Sequence, residues 1–124
     1  MVEFALLALP LMAILVGFFK MGRFFFLNEA LANAAREGAR AAAVRGAASP
    51  VPATQADIRA IVRAHVPGLI RPDSVAVDTV YEPDNSPGGQ VRVVVTYSYR
   101  LIVPWIGEMT TVSIDKRSSL TISR

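Results

Sequence analysis

Few residues in this 124-residue chain have types and spacing that could do chemistry. His65 is the one histidine, and no second metal-type ligand stands near it in sequence. At the end of a helical segment it reads as a structural residue helped by the helix dipole. Glu82, Asp84 and Asn85 could offer oxygens to a hard cation. Their spacing matches no closed cation loop, so a solvated hairpin is the expectation there. The absence of cysteine excludes a disulfide scaffold, a zinc ribbon and a thiol enzyme. No nucleophile elbow, phosphate loop or paired catalytic carboxylate is visible. The reading is therefore of a protein that is not an enzyme, with no catalytic residue, no metal and no cofactor.

One acidic residue stands apart. Glu3 lies at the mouth of an apolar run, where burying a carboxylate without a partner costs several kcal/mol. It either rests at the headgroup level beside the positive end of the helix dipole, or finds a cation within an assembly.

The element that carries Glu3 dominates the chain. Residues 1–45 read as one long helix, uncharged from Phe4 to Phe19 and alanine-rich from Leu27 to Val44. Those sixteen uncharged residues give about 24 Å of helix against roughly 30 Å of hydrocarbon. Lys20 can snorkel, and Phe24, Phe25 and Phe26 suit the interface. Glu3 in place of a basic leader region, and a helical pattern that runs on without a break, point to a retained anchor rather than a cleaved signal peptide. Pro10 removes one backbone hydrogen bond and Gly17 adds a second flexible point, so the helix can bend when it passes from lipid into a bundle. Further along, Leu27, Leu31, Ala34, Ala35, Gly38 and Ala42 fall on one stripe. Ala34, Gly38, Ala42 and Gly46 recur every four residues, a row of small side chains that lets backbones approach closely. That row packs on the chain's own sheet, on neighbouring helices, or on both. As an assembly surface, it would make Gly38→Leu more damaging to assembly than Arg40→Ala.

The remaining residues read as an α+β head. GAASPVPA, residues 46–53, breaks the helix. Thr54 and Asp57 form a capping-box start for a second helix to about His65, with Ile58, Ile61, Val62 and His65 on its inner stripe. Three alternating segments follow, at 75–82, 91–101 and 112–122, with Val112, Ile114, Leu120 and Ile122 sharing a parity in the last. The expected order is a long helix, a short helix and a three-stranded antiparallel meander. The expected division is an anchor and assembly helix at 1–46 and a head at 47–124. Trp105, in the apolar VPWIGEM connection, is expected to plug the sheet edge. The formal net charge of +3 resides mainly in residues 1–45, so the nearly neutral head makes nucleic acid an unexpected partner.

The run Asn33-Ala34-Ala35-Arg36-Glu37-Gly38-Ala39-Arg40, with Val2-Glu3-Phe4-Ala5-Leu6, Leu9-Pro10 and Gly22-Arg23, resembles the start of TadE-like (TadE/TadG) proteins, pilin-like subunits of tight-adherence pili. The resemblance covers about the first third of the chain. Lys20 departs from it, standing where an acidic residue is expected, as does a start at Met1 without a basic leader or processing glycine. The resemblance implies a pilin-like fold and a structural subunit (minor pilin, pseudopilin or filament subunit) that assembles through its N-terminal helix. It implies as partners copies of itself or other pilins, the inner membrane before assembly, the pilus assembly machinery and a prepilin peptidase. It also implies that Glu3 meets a neighbour's amine, and that Asn33, Arg36, Glu37, Gly38 and Arg40 are motif positions. Glu3, Pro10, Gly17, Ala34, Gly38 and Ala42 become the assembly residues. Flanking charge alone would place the head in the cytoplasm, since the cations follow the anchor. The resemblance implies the opposite side, and that is the expectation. Two other readings stand beside it: a single-span component of a pilus or secretion machine that never polymerises, and a tip protein whose head binds DNA or a surface.

Overall fold

The computed structural model describes residues 1–68, 70–71, 74–102 and 109–123. The expected plug, Trp105, lies outside them. Two helices precede three strands: α1 is Val2–Val44, α2 is Gln55–Ala64, β1 is Val75–Glu82, β2 is Gln90–Ile102 and β3 is Met109–Thr121. The sheet is an antiparallel meander in the order β1-β2-β3. This is the expected α+β architecture.

Helix α1 runs through Pro10 without ending, and stops where the small, proline-containing segment begins. The Arg45 N–H closes the last turn on the Ala41 carbonyl at 3.0 Å. Helix α2 begins with the predicted capping box. The Asp57 N–H donates to Thr54 Oγ1 at 3.2 Å, and the Thr54 N–H donates to Asp57 Oδ2 at 3.0 Å. Hydrogen bonding to the Thr54 backbone and hydroxyl, aided by the Arg45 charge, holds the Asp57 carboxyl below its ordinary 3.8. A depressed folded value makes this contribution complete above the unfolded value and lost as pH falls through the folded one. Acid titration of wild-type protein should therefore show a loss of stability below about pH 4 that Asp57→Asn removes from the profile. Thr54→Ala should cost about 1 kcal/mol in thermal melts.

The core lies between the helices and one face of the sheet. It holds Leu27, Leu31, Ala34, Ala35, Ala39, Ala42 and Ala43 of α1, Ile58 and Val62 of α2, and Val75, Val77, Val91, Val93, Val95 and Ile114 of the strands. Strict alternation along β2 turns Val91, Val93 and Val95 inward together. Ile122, just past β3, completes this face.

Two sequence expectations are corrected. His65 does not join the inner stripe of α2. It is exposed, and its Nδ1 donates to the Ile61 carbonyl oxygen at 2.8 Å, which turns the ring back along its own helix. Leu120 shares the inward parity but remains 42% exposed, because β3 is an edge strand with no neighbour beyond it among the described residues. The 83–89 connection is the expected hairpin between β1 and β2, exposed at Pro83, Asp84, Ser86, Pro87 and Gly88, and it is also tied to the rest of the head. The Gly88 N–H donates to the Ile122 carbonyl, the Ile122 N–H donates to Gly89, and the Ala47 N–H donates to Asn85, at 2.8 to 3.0 Å. Gly88 adopts φ +91°, and a Cβ on Gly89 would stand 2.8 Å from the Asp84 carbonyl oxygen, so this clasp requires both glycines.

Candidate functional site

The long helix presents two differently used halves. From Val2 to Phe26 its side chains leave the head and stay largely uncovered, with Phe4 at 78% and Phe19 at 79% exposure. The most apolar 18-residue window of α1 has a mean hydropathy of 2.3 and none of it is buried within the protein. In water this would be a severe liability, since exposed apolar patches on soluble monomers are rarely this large. By length and composition the helix can cross a membrane.

Glu3 sits in the first turn of this half, exposed. Pro10 lies within the helix. Around Gly17 nothing lies within 4 Å of where a Cβ would be. The missing side chain opens a shallow apolar groove of about 470 Å³ lined by Ile14, Gly17, Phe18, Met21 and Phe25. At the junction with the head, the Phe24 and Phe25 rings meet edge to face at 6.2 Å, and Phe24 packs against the core.

The second half belongs to the head. Leu27, Leu31, Ala34, Ala35, Gly38, Ala39, Ala42 and Ala43 are all buried within the single chain. Gly38 is the closest approach. A Cβ there would stand 2.5 Å from Val62 Cγ2 and 3.4 Å from Val93 Cγ1. The small-residue row of Ala34, Gly38 and Ala42 is thus filled by α2 and the sheet of the same chain. Sequence periodicity missed the burial of Ala39 and Ala43, which widens the covered face; their place beside the row was the available signal. The polar members of the same run face outward: Asn33, Arg36 and Arg40 are exposed, and Glu37 is half-buried. The run therefore divides by side-chain size, small residues into the core and charged ones into solvent.

The acidic residues of the 83–89 connection act locally. Asp84 Oδ1 accepts from the Ser86 N–H at 3.0 Å and from the Ser86 hydroxyl, and those bonds hold its carboxyl below the usual value. Glu82 stands 3.7 Å from Arg92 across the β1–β2 pair. Among the described residues no group of three or more His, Cys, Asp or Glu is placed to hold a metal ion.

Residues 1–40 match the family model described as TadE-like protein. The N-terminal helix is TadE-like. No curated protein and no solved structure matches the chain. The matched segment spans the exposed apolar half of α1 and most of the buried half, including the Asn33–Arg40 run. The TadE-like match associates the chain with the tight-adherence pilus, and its single apolar N-terminal helix fits a membrane-anchored component of that system.

Proposed function

We propose that this chain is a structural, non-catalytic pilin-like subunit, held in the inner membrane by α1 with its head outside the cytoplasm, and assembled into an extracellular filament through the same helix. The observation that carries this reading is the division of one unbroken helix: its second half is the spine of the head, and its first half is apolar and uncovered. A continuous helix shared in this way would transmit the position of the anchor to the head. The proposed contact surface is residues 2–26, including Glu3, Pro10 and Gly17. Its partners are copies of this chain or other pilins, delivered by the assembly machinery after a prepilin peptidase has acted. Ala34, Gly38 and Ala42 contribute indirectly, by fixing the helix to its head.

Glu3→Ala tests the assembly role. Membrane insertion should persist while incorporation into sheared filaments falls, since removing one partner of a buried ion pair costs about 3–5 kcal/mol. Wild-type incorporation of Glu3→Ala would show that the carboxylate rests among headgroups. An alkaline phosphatase fused after Arg124 should be active, as the disulfides it needs form only outside the cytoplasm; an inactive fusion of normal abundance would reverse the topology.

A further inference from the structure

Residues 2–26 carry few charges: Glu3 at one end of the apolar run, and Lys20 and Arg23 at the other. Glu3 and Arg23 are both exposed, and neither enters an ion pair among the described residues. Both stand on the same unbroken helix. The twenty residues from one to the other span about 30 Å along its axis, close to the thickness of the bilayer hydrocarbon. Copies held at one depth in a membrane therefore keep Glu3 in one headgroup layer and Arg23 in the other.

Assembly removes those headgroups. A bundle of helices standing at one level would set Glu3 beside Glu3 and Arg23 beside Arg23, like against like in apolar surroundings. Burying such a carboxylate without a partner costs several kcal/mol. A shift of one copy along the axis by about 30 Å, one anchor length, resolves both conflicts. Glu3 of the shifted copy then comes level with Arg23 of the copy left behind. A guanidinium can grip a carboxylate through two parallel N–H···O bonds, so this pair would fix register as well as neutralise charge.

We propose that Arg23 receives Glu3 from a second copy of this chain, displaced outward by one anchor length along the filament. This inference rests on reading residues 2–26 as an anchor that becomes an assembly surface. A copy moving outward by one span carries its Glu3 to the level where Arg23 of a copy still seated in the bilayer lies. The pair joins a departing copy to a seated one, and two copies at equal depth cannot form it.

Full-length Glu3→Arg, Arg23→Glu and the double reversal, each expressed in place of the wild-type chain, test the pairing. Insertion is read by resistance to alkaline carbonate, and assembly by the subunit recovered in sheared filaments. All three should resist extraction. Each single reversal should lower incorporation by about tenfold or more, since an unpartnered buried charge is heavily penalised. The double reversal should regain most of that loss, because the pair is restored with its signs exchanged. Glu3→Gln with Arg23→Gln covers the case of a reversal that fails to insert: the doubly neutral chain should assemble better than either single neutral variant. Normal incorporation of Arg23→Glu, or double variants no better than the singles, overturns the pairing and leaves assembly through residues 2–26 standing. Wild-type chain that resists extraction yet is absent from sheared filaments overturns the assembly reading itself.

Discussion

A fragment beginning at Ala47 is expected not to fold, whereas one beginning at Phe24 is expected to melt cooperatively. The difference is the second half of α1. Without it the head loses Leu27 and Leu31, both essentially inaccessible, together with the alanine face that covers Val91, Val93 and Val95. Truncating a buried leucine costs about 2–5 kcal/mol, and two of them approach the whole 5–15 kcal/mol stability of a typical domain. The sheet face left behind would be a broad valine surface with only the ten-residue α2 to shield it. The unit we propose as independently folding is therefore the head together with α1 from Phe24 onward, not residues 47–124. Circular dichroism melts of the two fragments decide this, and a cooperative transition for residues 47–124 would sink it.

The second large effect is at Gly38. Gly38→Ala should lower the melting temperature even though alanine is the better helix former by about 1 kcal/mol. The new Cβ would meet Val62 Cγ2 at 2.5 Å, well inside contact distance. Val62 cannot yield cheaply, because its side chain is β-branched, fully buried and carried by a capped helix. Overpacking of this kind costs about 1–3 kcal/mol, which outweighs the gain in propensity over most of that range. Gly38→Leu should be worse, and Arg40→Ala on the exposed face should have little effect on stability. Val62→Ala should restore part of the loss in Gly38→Ala, giving a coupling that a double-mutant cycle reads directly. If Gly38→Leu melts like the wild type but no longer assembles, the row acts between subunits instead. A gain in stability for Gly38→Ala would remove the close contact from the account.

Much of this fold was legible because its signals are local. The uncharged run from Phe4 to Phe19 and the alanine periodicity after Leu27 each specify helix over short windows, and after Pro10, which the helix runs through, no proline intervenes before Pro50. The Thr54–Asp57 box marks the start of α2 within four residues, and the valine alternation in β2 marks a half-buried strand. The TadE-like run from Asn33 to Arg40 was readable for the same reason: it is contiguous.

The uses of these elements were decided at longer range. Small residues every four positions look alike whether a neighbouring helix or the chain's own sheet will cover them. Only the arrival of Val62 and Val93 at Gly38, from positions 24 and 55 residues further along, assigns that face to the head. His65 and Leu120 both obey the inward periodicity and both remain exposed, one because its ring bonds its own helix, the other because no strand lies beyond β3 among the described residues. The residues themselves determined a membrane-length helix continuing into a small α+β head. Tertiary packing alone decided where along that helix the head begins and which end of the sheet faces the anchor, because both depend on contacts between segments that no local window contains.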